Sequence, residues 1–191
     1  TATSHRRIMV VEVMGRYAGW IALHTGIAGN ADVILIPEIP YDIEKVAAVI
    51  RERERSGRTY TVVVVAEGAM ALGGDVSVTG KAIGQAEKLG GVGDKVAHRL
   101  EQLTGKEART VVLGHLLRGG SPTSFDRLVA LRFGAAAVRA LDEGRSAVMV
   151  SLNPPTVCYE PLKEAVRRMK TVPLDSDTVE TARDLGICFG D

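Results

Sequence analysis

His115 and Arg118 stand three residues apart in "VVLGHLLRGGSPTSFDR" (residues 111–127), where an apolar run gives way to cations and then to turn residues. An imidazole and a guanidinium, drawn together by a turn that Gly119 and Gly120 permit, form a compact donor pair of the kind that grips a phosphate monoester. Two other stretches place polar groups just after apolar runs. "EVMGRYAGW" presents Arg16 directly after Gly15, which allows close backbone approach, and just before a helix whose free N–H groups suit an anion. "VVVVAEG" sets the Glu67 carboxylate behind seven residues of strand-forming sequence, where it can accept hydrogen bonds from ligand hydroxyls or act as a base. Taken singly, each has an ordinary alternative: a solvated arginine in a turn, an exposed strand end, or turn packing.

The elements that must position these groups follow from hydrophobic periodicity. Strand-length apolar runs alternate with amphipathic helix-length segments, the pattern of an α/β fold with a mostly parallel sheet covered by helices. Residues 7–13, 32–38, 59–68, 109–115 and 146–152 read as strands. The run of four valines marks the strongest. Helices are expected at 18–27, after the cap residue Asp42, at 94–103, from Ser124 or Asp126 to Leu141, and in "EPLKEAVRRMK". The Gly-rich span 68–93 reads as a long loop. In open parallel sheets the ligand crevice lies outside the carboxyl ends of the strands. Arg16, Glu67, His115 and Arg118 therefore converge on one edge, a set that suits a phosphorylated polyol or sugar. Arg7 and Arg109 begin the strands that end near Arg16 and His115, on the order of 20 Å away. They are either surface arginines or ligands of a neighbouring subunit's site.

Composition narrows the classes. Lys and Arg (24) nearly balance Asp and Glu (23) in a chain of 191 residues, so no global basic field draws in nucleic acid or anionic lipid. Cys158 and Cys188 lack metal-ligand spacing and read as buried free thiols in a reducing compartment. No apolar run nears the ~20 residues that cross a bilayer, and "TATSHRR" lacks a signal-peptide core, so a cytoplasmic protein is expected. "GDVSVTGKA" fails as a phosphate loop by glycine spacing and by Ala82, "GGVGD" fails as a dinucleotide fingerprint, and His98 reads as a surface residue. The chain opens without Met and almost directly in a strand, which suggests a fragment.

"RIMVVEVMGRYAGWIAL", "AEGA", "RTVVLGHLLRGGSPTSFDR" and the closing "LGICFGD", in this order, resemble the C-terminal half of a bacterial 6-phosphofructokinase across essentially the whole chain. The resemblance implies the C-terminal portion of a parallel-sheet three-layer sandwich of the phosphofructokinase type. It implies a glycolytic transfer of a phosphoryl group from ATP, with pyrophosphate as the alternative donor, to the 1-hydroxyl of fructose 6-phosphate, giving fructose 1,6-bisphosphate. Met14, Gly15 and Arg16 would contact the sugar phosphate ester, Glu67 its hydroxyls, and His115 and Arg118 the 6-phosphate. Arg7 and Arg109 would serve a neighbouring subunit of a homotetramer or homodimer with allosteric control. Residues 1–117 would form the substrate domain, 118–170 a segment returning to the donor domain, and 171–191 a tail packing back on the substrate domain.

The family's N-terminal phosphate loop, its GGDG segment and its TIDND loop with the catalytic aspartate have no counterpart in these residues. The resemblance therefore assigns this chain no catalytic residue and no metal ligand; Mg²⁺, with ATP or pyrophosphate, would belong to the other half. The isolated chain is expected to be inactive, or else to be a non-catalytic sugar-phosphate-binding or regulatory module. Where allosteric members carry Gly-Gly, this chain has Gly29 and Asn30, followed by Asp32 at the position of a carboxylate that helps hold effector-bound Mg²⁺.

Overall fold

A computed structural model describes residues 2–80 and 88–191. The elements in chain order are α1 (Ala2–His5), β1 (Ile8–Val13), α2 (Trp20–Ala28), β2 (Val33–Leu35), α3 (Ile43–Arg55), β3 (Thr61–Ala66), β4 (Val78–Gly80), β5 (Lys88–Leu89), α4 (Val92–Thr104) and β6 (Ala108–Val112). A 3₁₀ turn (Gly114–Arg118), α5 (Ser124–Asp142), β7 (Val148–Asn153), β8 (Thr156–Pro161), α6 (Leu162–Ala165) and α7 (Asp177–Asp184) follow. They fall into two compact units, Thr1–Arg118 with Thr171–Asp191, and Gly119–Lys170.

The first unit is built on a parallel sheet in the order β2-β3-β1-β6. Both faces of its inner strands are covered, which is why β3 carries consecutive valines, whereas Val111 and Val112 of the edge strand β6 are exposed. Val63 and Val65 join Ile8, Val10, Val33 and Leu35 beneath Val46, Ala47 and Ile50 of α3 and Val96 and Leu100 of α4. Val64 and Ala66 face the other way, toward Ala22 and Leu23 of α2, Val179 and Ala182 of α7, and Phe189. Asp42 caps α3 as its sequence implies, accepting the Glu44 N–H at 2.9 Å.

Register then fixes the site edge. Ile8 pairs with both Thr61 and Ala108, so β1, β3 and β6 start level and finish within one residue of one another. The residues that follow them emerge together.

Several expected elements differ in the structure. Strand 32–38 shrinks to Val33–Leu35. The strand expected at 146–152 is present as β7, which pairs antiparallel with β8 in a hairpin turned at Pro154–Pro155. In "EPLKEAVRRMK" only four residues are helical, because Val166 is 80% exposed and Met169 also faces solvent, and an apolar stripe that buries nothing does not stabilise further turns. The last helix is instead α7, anchored by buried Val179 and Ala182. Beyond it, Cys188 lies beside β2, exchanging backbone hydrogen bonds with Ile34 and Asp32 at 2.9 and 3.1 Å. Both cysteines are free and half-buried rather than fully buried.

Arg183 pairs with Asp191, which holds that carboxyl below its ordinary value, and lies 5.0 Å over the Phe189 ring. Asn30 adopts a left-handed backbone (φ +52°) in place of glycine. The Asp32 carboxylate is buried and engaged, accepting the Val62 N–H at 2.8 Å and pairing with Arg53. His98 is exposed and bonded to Gln102. The middle of the Gly-rich span and the end of "GDVSVTGKA" lie outside the described residues.

In the second unit Thr123 and Asp126 form a reciprocal cap for α5, and Ala136 and Ala140 are buried where α5 meets the hairpin. The Tyr159 hydroxyl donates to the Ala136 carbonyl at 2.8 Å. Phe125, Leu128, Leu131, Val138 and Leu141 along α5 are exposed. None of the described helices is long and apolar enough to cross a membrane.

Leu100 is fully buried, so Leu100→Ala should lower the unfolding free energy by ~2–5 kcal/mol. Trp20, the single tryptophan, belongs to the first unit and reports its denaturant midpoint by fluorescence. Leu128→Ala, at an exposed position of α5, should leave that midpoint within about 0.5 kcal/mol of wild type.

Candidate functional site

After β1 the chain turns at Gly15, φ +155°, where an added Cβ would lie 2.9 Å from the Ala18 carbonyl oxygen and 3.1 Å from Ala66. After β3 it turns at Glu67 and Gly68. The Gly68 N–H donates to the Gly15 carbonyl at 3.0 Å, and the Glu67 N–H to the Val13 carbonyl at 2.9 Å. A Cβ on Gly68 would sit 1.9 Å from the carbonyl oxygen of Arg16, closer than any side chain allows. The two strand-end turns are therefore pressed backbone to backbone, which brings Arg16 and Glu67 to one place. The Gly15 N–H also points to Glu67 Oε1 at 3.5 Å.

After β6 the Leu113 N–H donates to the Glu12 carbonyl at 3.1 Å, and Gly114, with φ +50°, starts the 3₁₀ turn. Residues i and i+3 eclipse in such a turn, so His115 and Arg118 share a face. The turn that unites them thus precedes them at Gly114, rather than depending on Gly119 and Gly120, which follow. Arg118 Nε reaches back to Met14 Sδ at 3.3 Å and closes the ring from β6 to β1.

Met14, Gly15, Arg16, Glu67, His115 and Arg118 all line one cleft of about 510 Å³, together with Ile21. Ile21 was missed because its helical position reads as core; it is 39% exposed, on the first turn of α2. A second departure concerns the start of α2. Its N-terminus does not present an open amide at Gly19, whose N–H donates to the Glu38 carboxylate at 3.0 and 3.1 Å.

Arg7 and Arg109 lie elsewhere. They sit at the starting ends of β1 and β6, and both pair with Glu107, at 3.0 and 2.7 Å. Arg7 Nε is buried without a hydrogen-bond partner among the described residues.

Two guanidinium groups, an imidazole and one carboxylate around a cleft can hold an anionic ester and orient a neighbouring hydroxyl. Residues 1–141 match the family described as Phosphofructokinase. The chain belongs to the phosphofructokinase family. It is 51% identical over 191 residues to an ATP-dependent 6-phosphofructokinase of Chloroflexus aurantiacus, matching all of this chain and 52% of that protein. It is 46% identical over 192 residues to a pyrophosphate–fructose 6-phosphate 1-phosphotransferase of Streptomyces coelicolor, again over the whole chain and 54% of the relative. Among solved structures, a pyrophosphate-dependent phosphofructokinase of Marinobacter aquaeolei superposes with a TM-score of 0.74 at 26% identity, over 97% of this chain and 52% of that one. The phosphofructokinase of Saccharomyces cerevisiae gives 0.72 at 31% identity, over 97% and 23%. The chain spans about half the length of the curated relatives it matches.

Gly68→Ala should push the Arg16 loop away from its seat and speed amide exchange over residues 15–19 at least about tenfold. Gly134→Ala, in α5 where an added Cβ meets nothing within 4 Å, should leave that exchange unchanged and raise helix stability by about 0.5–1 kcal/mol.

Proposed function

We propose that this chain supplies the fructose 6-phosphate site of a 6-phosphofructokinase that phosphorylates the 1-hydroxyl in glycolysis. The observation that carries this reading is the gathering of Arg16, Glu67, His115 and Arg118 around one cleft in a member of this family. His115 and Arg118, on one face of their turn, hold the 6-phosphate by charge-assisted hydrogen bonds. Met14, Gly15 and Arg16 lie against the ester, and Glu67 accepts hydrogen bonds from the sugar hydroxyls. Phosphoryl transfer depends on positioning and on charge stabilisation, and the part assigned to this chain is positioning the acceptor.

Arg7 and Arg109 are assigned to a neighbouring subunit's cleft in a homo-oligomer, a dimer or tetramer. Residues 1–118 with 171–191 are assigned to the substrate domain, and 119–170 to the donor domain of the full-length protein; the expected boundary moves by one residue because Arg118 ends the 3₁₀ turn within the first unit. The donor is ATP, with pyrophosphate as the alternative, since relatives of both names match at similar identity. Among the described residues no three His, Cys, Asp or Glu side chains gather as a metal site requires. Mg²⁺, with the phosphoryl donor, is assigned to the other half of the full-length protein. Asp32, already engaged by Val62 and Arg53, is given no effector role. The proposed setting is the cytoplasm, and the 191-residue chain alone is proposed to bind without turnover.

Calorimetric titration of the chain should show binding of fructose 6-phosphate and none of fructose. In the full-length enzyme Arg118→Ala should raise KM for fructose 6-phosphate at least about tenfold, the scale of one lost charge-assisted hydrogen bond. An unchanged KM would remove Arg118 from the site.

A further inference from the structure

We propose that Glu38 is a positioning residue for the sugar-phosphate cleft, acting by holding the Arg16 loop from behind. This rests on the sugar-phosphate reading of that cleft. Glu38 lies three residues beyond β2 and does not line the cleft. Its carboxylate accepts the Gly19 N–H through both oxygens, at 3.0 and 3.1 Å, and the Val172 N–H through Oε1 at 2.8 Å. One side chain thus fastens two separate chain segments to the end of the sheet.

The segment between Met14 and Gly19 has two fixed ends. At one end the Gly15 turn is seated on Ala66 and Gly68, as the close contacts at those glycines require. At the other, Gly19 has no side chain with which to cap α2 and makes no side-chain cap of its own. A Cβ there would meet Ile36 at 2.3 Å and Glu38 Oε2 at 3.0 Å, so the backbone is packed directly onto the strand end and its glutamate. Arg16 lies between these anchors, and Ile21, on the far side of Gly19, lines the same cleft. Releasing the second anchor loosens the backbone that carries Arg16 and Ile21 without changing the identity of any cleft side chain. Displacing a guanidinium from the phosphate it serves weakens a charge-assisted hydrogen bond, a loss of about tenfold or more in ligand affinity.

The second anchor also reaches the returning chain. Val172 is buried among the residues that pack on α2 and α7, so its N–H, donating to the same Oε1 that accepts from Gly19, helps to fix the Glu38 rotamer. A carboxylate at a helix N-terminus is favoured by the helix dipole. An amide in its place keeps the size but turns one acceptor into a donor facing N–H groups.

The test is steady-state kinetics on the full-length enzyme carrying Glu38→Gln, with Glu38→Asp and Arg118→Ala in parallel. Glu38→Gln should raise KM for fructose 6-phosphate about tenfold, with kcat and the KM for the phosphoryl donor within about twofold of wild type. Glu38→Asp keeps the charge at shorter reach and should raise it about threefold, which keeps the proposal open to refutation should the Gln variant fail to fold. Amide exchange over residues 15–19 should accelerate in both variants. If the Glu38 variants lose thermal stability and kcat while KM for the sugar phosphate stays at its wild-type value, Glu38 is purely structural and the proposal falls. If Arg118→Ala also leaves that KM unchanged, it is the reading of the cleft that has failed.

Discussion

The contact between Gly68 and the carbonyl oxygen of Arg16 is the constraint on which the site depends. Parallel strands that end level deliver their following residues to one edge, but they do not by themselves bring those residues together. Here the turns after β1 and β3 touch backbone to backbone, a distance available only because one residue carries no side chain. The third strand of the group joins by different means, a 3₁₀ turn that stacks His115 and Arg118 and sends the guanidinium toward Met14. Level register provides the convergence, and glycine provides the closeness.

Two helices of the first unit start at glycine and are capped by glutamates from elsewhere in the chain rather than by their own residues. Glu38 serves α2 in this way. Glu12, buried in β1, accepts the Gly93 N–H at 2.8 Å in the first turn of α4. Burying a carboxylate is costly unless it is hydrogen-bonded, and the exposed amides and dipole of a helix start supply that compensation. The arrangement replaces a local cap, which stabilises only its own helix, with one that also fixes the helix to a particular position on the sheet. In α2 that position sets the loop bearing Arg16.

Much of this was legible in the sequence, because the governing signals are local. The valine run announced a strand buried on both faces, Asp42 announced the start of α3, and the alternation of runs announced the α/β order. The polar residues behind Val13, Ala66 and Val112 could be named because strand ends in a parallel sheet face one crevice. What escaped notice depends on partners distant in sequence. Glu38 looks like any glutamate after a proline until Gly19 and Val172, 19 and 134 residues away, are seen to share it. The hairpin strand β8 has no long apolar run, and the apolar stripe of "EPLKEAVRRMK" reads as a helix although Val166 and Met169 bury nothing. Conversely α7, short and polar in its first turn, is held by Val179 and Ala182 against a core that only the folded sheet creates.

The same register that gathers the cleft residues separates Arg7 and Arg109 from them. A strand of six residues spans roughly 20 Å, and both arginines stand at its starting edge, gathered there by Glu107. A pair of guanidinium groups around one carboxylate keeps a net positive charge, which suits an anion. No flexing of an arginine side chain covers the length of β1. If one phosphate ester is to meet both the cleft donors and this pair, the two sets must come from different copies of the chain. Under the proposed function, subunit sharing of the site is then a consequence of strand length and parallel register, with the sheet acting as the spacer between the site a subunit completes and the site it serves.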